Sequence, residues 1–452
     1  MRILFFFFAL SIYNASVVCA QQWLGTKTPY RPLQKKYTPA PAGYQPVFIN
    51  HVGRHGSRFL TKPGSDLIVL AILQTADDAK SLRPAGNQVK KVTELFAKAE
   101  KDHYEYLTLL GYEEQQAIAR RMQQQYNGVF KGNGLEIQMT HKKRTQQSAD
   151  GFLQGLQYAA DRIHRFILPD TLEDALRFYD LSPAYQAYSD DTELQQRADS
   201  LLVDPNTQKV AARVSSKLFT PAFVKKLTAG ITIDINGKSK IINSLLFTQS
   251  LYDVYSMQFV AAREIKQLSA KAVVIGLTNA FTNQDLQWLE KTANASDFFE
   301  KGPATDILGI QVKIAAPLLV DFINSVDSII NGSKVADASL RFTHAEAISP
   351  LATLLGIPQA SITANSVNNF DKYWQASSII PMSANIQWIV YSNGKDYLVK
   401  MLLNEKEVAF PVTTAQFPYY SWAAVKAYYV EKLSKLSVNL QSDMHQYLLD
   451  VK

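Results

Sequence analysis

The strongest chemical signal in the chain is one short segment, Arg54-His55-Gly56-Ser57-Arg58. An imidazole can attack phosphorus as a nucleophile, and arginine side chains bind phosphate oxygens bidentately while keeping their charge. A histidine between two arginines is therefore typical of phosphoryl transfer through a phosphohistidine. The segment predicts a phosphatase, and the alternative that it leaves open by itself is a basic surface loop.

Further titratable residues follow two other predicted strands. The apolar run at 47–50, the alternating residues at 135–139 and the run at 338–342 have strand patterns. The residues that follow these strands are Arg54, His55 and Arg58, then Arg144, which stands before a helix that starts at about residue 146, and finally His344 and Glu346. Since the carboxyl ends of parallel strands meet at one edge of a sheet, we expect all six side chains to converge on one pocket.

These segments, in this order, resemble those of the histidine acid phosphatase family. Within that family the chain is most similar to the multiple inositol polyphosphate phosphatases, a phytase-like group, over roughly residues 46–429. The matching elements are Arg-His-Gly-x-Arg at 54–58, Leu-Thr-x-x-Gly at 107–111, the stretch 144–148 leading into 152–155, and His-Ala-Glu at 344–346. The family usually has His-Asp as its last element, and His-Ala-Glu marks the inositol polyphosphate group.

The resemblance implies a role for each residue. His55 would attack the phosphorus, and Glu346 would start protonated, donate its proton to the leaving oxygen and then activate water. The equatorial phosphate oxygens would be bound by Arg54, Arg58, Arg144 and His344. It implies no metal and no other cofactor. For Glu346, the open alternative is an acidic residue that merely suits a helix N-terminus.

Other basic residues give weaker signals. Lys62, Lys142 and Lys143 are candidates for binding further phosphates of a polyphosphorylated ring, although lysines near loops are usually only solvated. His51 and His141 lie near the motifs without a role in them, which favours structural support. The remaining histidines considered are predicted to be surface or core residues: His103, His164 and His445.

The predicted fold is α/β, with a mostly parallel sheet flanked by helices and an inserted, mainly helical cap; the resemblance implies a phosphoglycerate mutase-like core. The predicted division is a signal peptide at 1–20, an N-terminal arm at 21–45, the α/β core at 46–171 and 337–452, and the cap at 172–336. Two hairpins are predicted from Asn-Gly turns. One has strands at 231–235 and 238–242 around the turn at 236–237, and the other has strands at 386–391 and 397–403 around the turn at 393–394.

The N-terminus predicts export. Apolar residues at 3–13 follow Arg2, and Val18-Cys19-Ala20 suits signal cleavage after Ala20. Cys19 is the only cysteine, so the mature chain has no disulfide, which favours secretion into a bacterial periplasm over a eukaryotic route. Lipidation of Cys19 is the alternative. No later stretch is long and apolar enough to predict an integral membrane segment.

The charge balance, 47 Lys and Arg against 40 Asp and Glu for a net +7, favours anionic partners, but by charge alone a solvated surface suited to solubility is the leading interpretation. The family resemblance implies a small polyanionic substrate, an inositol polyphosphate. No basic block with interleaved aromatic residues predicts a nucleic-acid partner, and no His-Glu-x-x-His spacing predicts a metal site. Two alternatives remain open: a broad-specificity acid or sugar phosphatase, and an inactive phosphate-binding protein. The sequence leaves the oligomeric state open.

Overall fold

The computed structural model describes residues 23–167, 169, 173–268 and 275–452, so the predicted signal peptide and Cys19 lie outside the described residues. The chain divides into two compact units. Of the described residues, those at 23–28, 58–109 and 200–293 form the helical unit, and those at 29–57, 110–199 and 294–452 form the sheet unit. These limits differ from those of the domains predicted from the sequence, whose division stays a prediction.

A mixed sheet forms the centre of the sheet unit, and its strand order is β10-β8-β7-β1-β6-β2-β3 with β9 beside β8. In chain order the strands are β1 (Gln45–Arg54), β2 (Leu135–Met139), β3 (Ile163–Ile167), β4 (Ile231–Ile235), β5 (Lys238–Ile242), β6 (Ala338–Thr343), β7 (Asn385–Ser392), β8 (Tyr397–Leu403), β9 (Lys406–Val408) and β10 (Tyr420–Ser421). Strands β1, β6, β2 and β3 are parallel, and β7 to β10 extend the sheet in antiparallel pairs. The predicted α/β fold class is confirmed.

The helices flank this sheet or form the helical unit. In chain order they are α1 (Ser65–Asp78), α2 (Pro84–Glu100), α3 (Leu109–Gln125), α4 (Lys143–Leu156), α5 (Phe178–Leu181), α6 (Pro183–Ser189), α7 (Thr192–Asp199), α8 (Pro205–Leu218), α9 (Pro221–Ala229), α10 (Ser244–Gln258), α11 (Ala262–Leu268), α12 (Ile275–Thr278), α13 (Asn283–Lys301), α14 (Ile310–Lys313), α15 (Ala316–Ile330), α16 (Ala345–Leu354), α17 (Ala376–Ile379), α18 (Trp422–Ser434) and α19 (Met444–Asp450).

Strand β1 is longer than the predicted strand at 47–50. It lies between β6 and β7 and is buried from Phe48 to Arg54, as expected of a strand inside a sheet that is covered on both faces. The sequence pattern ended early because His51 is polar. The His51 ring packs 5.4 Å from Phe152 and 5.9 Å from Phe342, measured between centroids, and burial, with the nearby charge of Arg341, lowers the pKa of His51 to about 3.

Helices α3 and α4 cover one face of the sheet unit. Their apolar residues, among them Ile118 and Phe152, share a core with β2, β6 and Ile389 of β7. Helix α4 begins at Lys143, which is earlier than predicted, so Arg144 lies in its first turn and not in a preceding loop. Residues 29–45 of the predicted arm are bound to this unit, since Tyr30 donates to Glu405 (2.8 Å).

The helical unit has its own apolar core, to which α1, α2, α8 and α10 contribute. Its hairpin, β4–β5, was predicted with the observed limits. Both turn residues have positive φ, 52° at Asn236 and 76° at Gly237, as a type I′ turn requires. Throughout the part of the chain that the structure describes, the helices are too short or too polar to span a bilayer.

Candidate active site

His55 lies directly after β1, and its backbone holds it between two neighbouring elements. Its N–H donates to the Thr343 carbonyl at the end of β6 (2.9 Å), and its carbonyl accepts from the Ser383 N–H (3.1 Å). The imidazole Nδ1 lies 2.9 Å from the Gly56 carbonyl oxygen. Because a carbonyl only accepts, this hydrogen bond assigns the proton to Nδ1 and leaves the lone pair on Nε2. The atom equipped to attack phosphorus is therefore Nε2.

His344 faces His55 from the end of the adjacent parallel strand. It stands at the N-cap position of α16 without a side-chain capping hydrogen bond, and its ring centroid lies 5.5 Å from that of His55 at an interplanar angle of 64°. Its Nε2 is 3.2 Å from the Thr140 hydroxyl, which follows β2. Residues that follow β1, β6 and β2 thus lie close together at one edge of the sheet, as expected for the carboxyl ends of parallel strands.

Arg54 and Arg144 share one electrostatic environment in the sheet unit. The Arg54 side chain is buried, and its Nη1 donates to the Ile380 carbonyl (2.5 Å). Burial lowers the pKa of the Arg54 guanidinium, the charge of Arg144 lowers this pKa further, and the Glu346 carboxylate opposes both effects. Two guanidinium groups therefore lie within electrostatic reach of each other and of Glu346.

Arg58 ends the motif in the part of the chain that belongs to the helical unit. Its Nη1 donates to the Phe59 carbonyl (2.6 Å), and its backbone forms an isolated β-bridge with Leu107. Its predicted role in binding phosphate stays a prediction.

The lysines proposed as substrate ligands are not buried. Lys62 and Lys143 are exposed, and Lys142 is half-buried at the start of α4. The neighbouring His141 forms a hydrogen bond within the protein, because its Nδ1 lies 3.1 Å from the buried Glu173 carboxylate. The lysines' contribution to substrate binding remains a prediction. The other histidines lie at the surface, where His103 and His164 are exposed and His445 is half-buried against Asp174.

The loop after β1 is tied to α4 and packed against the start of α3. The Gly56 N–H donates to the Ser148 hydroxyl (3.0 Å), which in turn donates to the Arg144 carbonyl (2.7 Å). A Cβ on Gly56 would lie 2.5 Å from the Gly111 carbonyl oxygen, and a Cβ on Gly111 would lie 2.0 Å from the Ser57 carbonyl oxygen. Both positions therefore require glycine for close approach of the two backbones.

Glu114 on α3 supports the same loop, and sequence reasoning missed it. Its buried carboxylate accepts the N–H and the hydroxyl of Ser57 (2.8 Å each), the Tyr30 N–H (2.8 Å) and the Ser383 hydroxyl (2.9 Å). Burial raises the pKa of Glu114, although these hydrogen bonds oppose the shift. The available signal was its spacing, because Glu114 stands one turn before Ile118 on the apolar face of α3.

Glu346 is held by a second residue that the sequence did not indicate. In the first turn of α16, its Oε1 accepts from the Lys301 ammonium (2.9 Å), which also contacts Asp297 (2.9 Å). Burial by itself would raise the pKa of Glu346, but the charges of Lys301 and His344 hold this pKa well below its usual range. The surroundings thus favour the carboxylate, whereas the proton-donor role expected from the resemblance begins with the acid. Nothing in the local sequence distinguishes Lys301 from an ordinary lysine in the last turn of a helix.

Within residues 23–167, 169, 173–268 and 275–452, no three or more His, Cys, Asp or Glu side chains are grouped in a way that could hold a metal ion. The candidate site is instead built from imidazole, guanidinium, ammonium and carboxylate groups.

A family model of the histidine phosphatase superfamily (branch 2) matches residues 47–404. The chain belongs to this superfamily. The match includes the segments at 54–58, 107–111 and 344–346, and the resemblance inferred from those motifs is confirmed. Membership supports phosphatase activity.

Solved structures show the same fold. Bifidobacterium longum multiple inositol polyphosphate phosphatase in complex with phosphate matches with 22% identity and a TM-score of 0.79, covering 90% of this chain and 97% of that one. The same enzyme in complex with inositol hexasulfate matches with 23% identity and a TM-score of 0.75 over the same shares. A phytase from D. castellii matches with 14% identity and a TM-score of 0.65, covering 92% of this chain and 86% of that one. A comparison with curated proteins gives no match.

Proposed function

We propose that this protein hydrolyses inositol polyphosphates, phytate foremost, through a phosphohistidine on His55. The observation that carries the proposal is the hydrogen bond from His55 Nδ1 to the Gly56 carbonyl, 2.9 Å, because it leaves Nε2 as the nucleophile beside His344. An imidazole with its tautomer held by a backbone acceptor is prepared to attack without first losing a proton.

In the first half of the reaction, Nε2 of His55 forms a bond to phosphorus as the ester bond to the leaving oxygen breaks. Glu346 gives its proton to that oxygen, which leaves as the alcohol. The charge that develops on the equatorial oxygens is stabilised by Arg54, Arg144 and His344 of the sheet unit and by Arg58. In the second half, a water molecule gives a proton to Glu346 and attacks phosphorus, and the bond to Nε2 breaks.

The substrate class rests on three observations. The chain has His-Ala-Glu at 344–346 and a net charge of +7, and a protein of the same fold was solved with inositol hexasulfate, a ring with six anionic groups. Lys62, Lys142 and Lys143 are proposed to bind phosphates other than the one that reacts.

Export is part of the proposal. We infer a signal peptide at 1–20 and secretion or a periplasmic location in a bacterium, with lipidation at Cys19 as the alternative, from the apolar run and the small residues that follow it.

The test compares phosphate release from phytate by the wild-type protein, by His55→Ala and by the control His103→Ala, in which an exposed histidine is removed. Loss of the nucleophile should lower kcat by roughly 10³-fold or more, and the control should keep the wild-type rate. Rapid quenching with labelled substrate should trap a phosphorylated histidine in the wild type and in the control, and none in His55→Ala. Full activity of His55→Ala would contradict the mechanism.

Membership of the superfamily also suits a broad-specificity acid or sugar phosphatase. Turnover of glucose 1-phosphate and of an aryl phosphate, measured beside phytate, separates the two, since a phytate-directed enzyme should have the highest kcat/KM for the polyphosphate. A phosphate-binding protein without activity would form no phosphohistidine, so the trapping experiment also tests that alternative.

A further inference from the structure

We propose that Lys301 is a positioning residue that fixes the orientation and the ionisation of the Glu346 carboxylate. The inference rests on the proposed function, because it concerns how the acid and base of that reaction is controlled.

The first argument is geometric. Lys301 is the last residue of α13, and its ammonium lies 2.9 Å from Glu346 Oε1 and 2.9 Å from Asp297 Oδ1, one turn earlier on the same helix. The ammonium therefore joins a carboxylate of its own helix to a carboxylate of α16, with both oxygens within hydrogen-bonding distance.

The second argument concerns exposure. The Lys301 side chain is 9% exposed, whereas the Glu346 side chain is 36% exposed. An ion pair that joined two helices only for stability would gain little, because the loss of hydration offsets most of the attraction between buried charges. Here one partner is buried and the other remains accessible, which suits a fixed charge that controls a reacting group.

Among the charged groups, Lys301 has the largest effect on the pKa of Glu346. Burial would lower the pKa of Lys301, but Asp297, Glu346 and Glu300 raise it well above its usual range, so the ammonium stays charged. The charged or titratable groups that interact with Glu346 include Lys301 and Glu300 of α13, His344 before α16, Arg54 of β1, Tyr179 of α5 and Tyr185 of α6. Asp297 acts on Lys301. Burial raises the pKa of both tyrosines, which keeps them neutral.

This arrangement affects the two halves of the reaction in opposite ways. A carboxylate held by an ammonium is ready to take a proton from water, as the second half requires. The first half requires a proton on Glu346, and the negative charge of an arriving phosphate favours its uptake. The proton that Glu346 gives to the leaving oxygen is returned by the attacking water, so the cycle balances.

The test measures the titration of Glu346 directly. Protein labelled with ¹³C at glutamate side-chain carboxyl groups is titrated by NMR, and the Glu346 signal is assigned by its loss in Glu346→Gln. Lys301→Met should raise the midpoint of Glu346 by about one pH unit or more, and the alkaline limb of kcat/KM for phytate should move in the same direction. Lys301→Arg should restore most of both. Lys435→Met removes an exposed lysine paired with Glu431 and should change neither.

Asp297→Asn should shift the titration midpoint of Glu346 in the opposite direction. It removes the second carboxylate that contacts Lys301, so the ammonium interacts more strongly with Glu346 and the midpoint of Glu346 should fall. Because this variant keeps the ion pair between Lys301 and Glu346, it tests the proposal even if Lys301→Met does not fold. An unchanged midpoint of Glu346 in either folded variant would overturn the proposal. A higher KM for Lys301→Met with an unchanged alkaline limb of kcat/KM would also overturn it, because that result would make Lys301 a substrate ligand. The titration needs no turnover, so a wild type that releases no phosphate would count against the proposed function alone.

Discussion

Glu114 controls the nucleophilic loop although the reaction scheme gives it no part in the chemistry. Its carboxylate accepts both polar hydrogens of Ser57, which stands two residues after His55, and also binds Tyr30 and Ser383. A carboxylate has acceptor sites for four such donors, whereas any neutral replacement has fewer. The position of the His55 imidazole thus depends on the buried Glu114 carboxylate, through its hydrogen bonds to Ser57.

We expect Glu114→Gln to weaken the fold and the activity together. The amide NH₂ would point at donors, so at least one buried donor would lose its acceptor, at a cost of about 2 kcal/mol. Chemical denaturation should show this loss, and kcat should fall about tenfold as the loop shifts. The control, Glu431→Gln, alters a carboxylate on the surface of α18. Unchanged stability in Glu114→Gln would contradict the assignment.

The sequence indicated the residues of this site that lie close together in the chain. Arg54 to Arg58 form one motif, and His344 and Glu346 form another, so each could be found by inspection. Glu114 and Lys301 reach the same place from separate helices. The sequence around Lys301 contains no pattern that distinguishes it from a solvated charge, and for Glu114 the spacing from Ile118 indicates burial but no role. The three-dimensional contacts give the roles of both residues.

The contact between Gly56 and Gly111 joins two elements, the loop after β1 and the first turn of α3. Gly56 faces the backbone of Gly111, Gly111 faces the backbone of Ser57, and neither glycine has room for a methyl group. Backbone atoms cannot move aside as a flexible side chain can. The loop after β1 and the start of α3 can approach this closely because both positions are glycine. The position of His55 depends on that close approach.

We expect Gly111→Ala to displace the loop that carries His55. The added Cβ would lie 2.0 Å from the Ser57 carbonyl oxygen, so the backbone must shift, and kcat for phytate should fall at least tenfold. Gly128→Ala is the matched control, because a Cβ there would meet no atom within 4 Å. Steady-state kinetics of both variants checks the prediction, which a wild-type kcat in Gly111→Ala would contradict.

Elements were predicted well where hydrophobic period and turn residues agreed. The hairpin β4–β5 and strand β2 have their predicted limits. No assignment was made for α2, although Val89, Val92 and Phe96 are buried at helical spacing, because the many charged and polar residues between them weaken the pattern. Strand β3 was missed since its residues are mostly exposed, which removes the alternation that marks a half-buried strand.

At the scale of the whole molecule, one buried acid should make stability depend on pH. Glu100 ends α2 with its side chain buried and accepts the Leu60 N–H (2.6 Å). Burial raises the pKa of Glu100 from 4.5 to about 8, and the charge of Asp66 adds to the shift. The folded pKa exceeds the unfolded one, so its contribution to stability is complete below pH 4.5 and is lost as pH rises through 8.

We therefore expect Glu100→Gln to unfold at a higher temperature than the wild type at about pH 9 and to lose that advantage at about pH 5. The neutral amide keeps an acceptor for Leu60 and no longer ionises. Glu94→Gln, which alters a half-exposed carboxylate on the same helix, should leave the pH dependence of the wild type intact. Parallel melting curves of wild type and Glu100→Gln across this range would disprove the expectation.

The division of the molecule was the part least accessible from the sequence. Periodicity assigns residues to helices, but it does not show which core a helix joins. The helices between residues 178 and 330 belong to both units. The limits of the predicted cap, 172–336, were placed where the pattern of strands in the sequence stops and resumes. That pattern depends on neighbouring residues only and does not show which core a helix packs into.

The Gly56–Gly111 contact also constrains how such a protein can diverge. A mutation that adds a side chain at either position meets main-chain atoms of the other segment, so no single compensating replacement there can make room. Homologues that keep this loop geometry should therefore vary freely around the pair while the pair itself stays unaltered, and a lineage that lost one glycine would have to rebuild the start of α3.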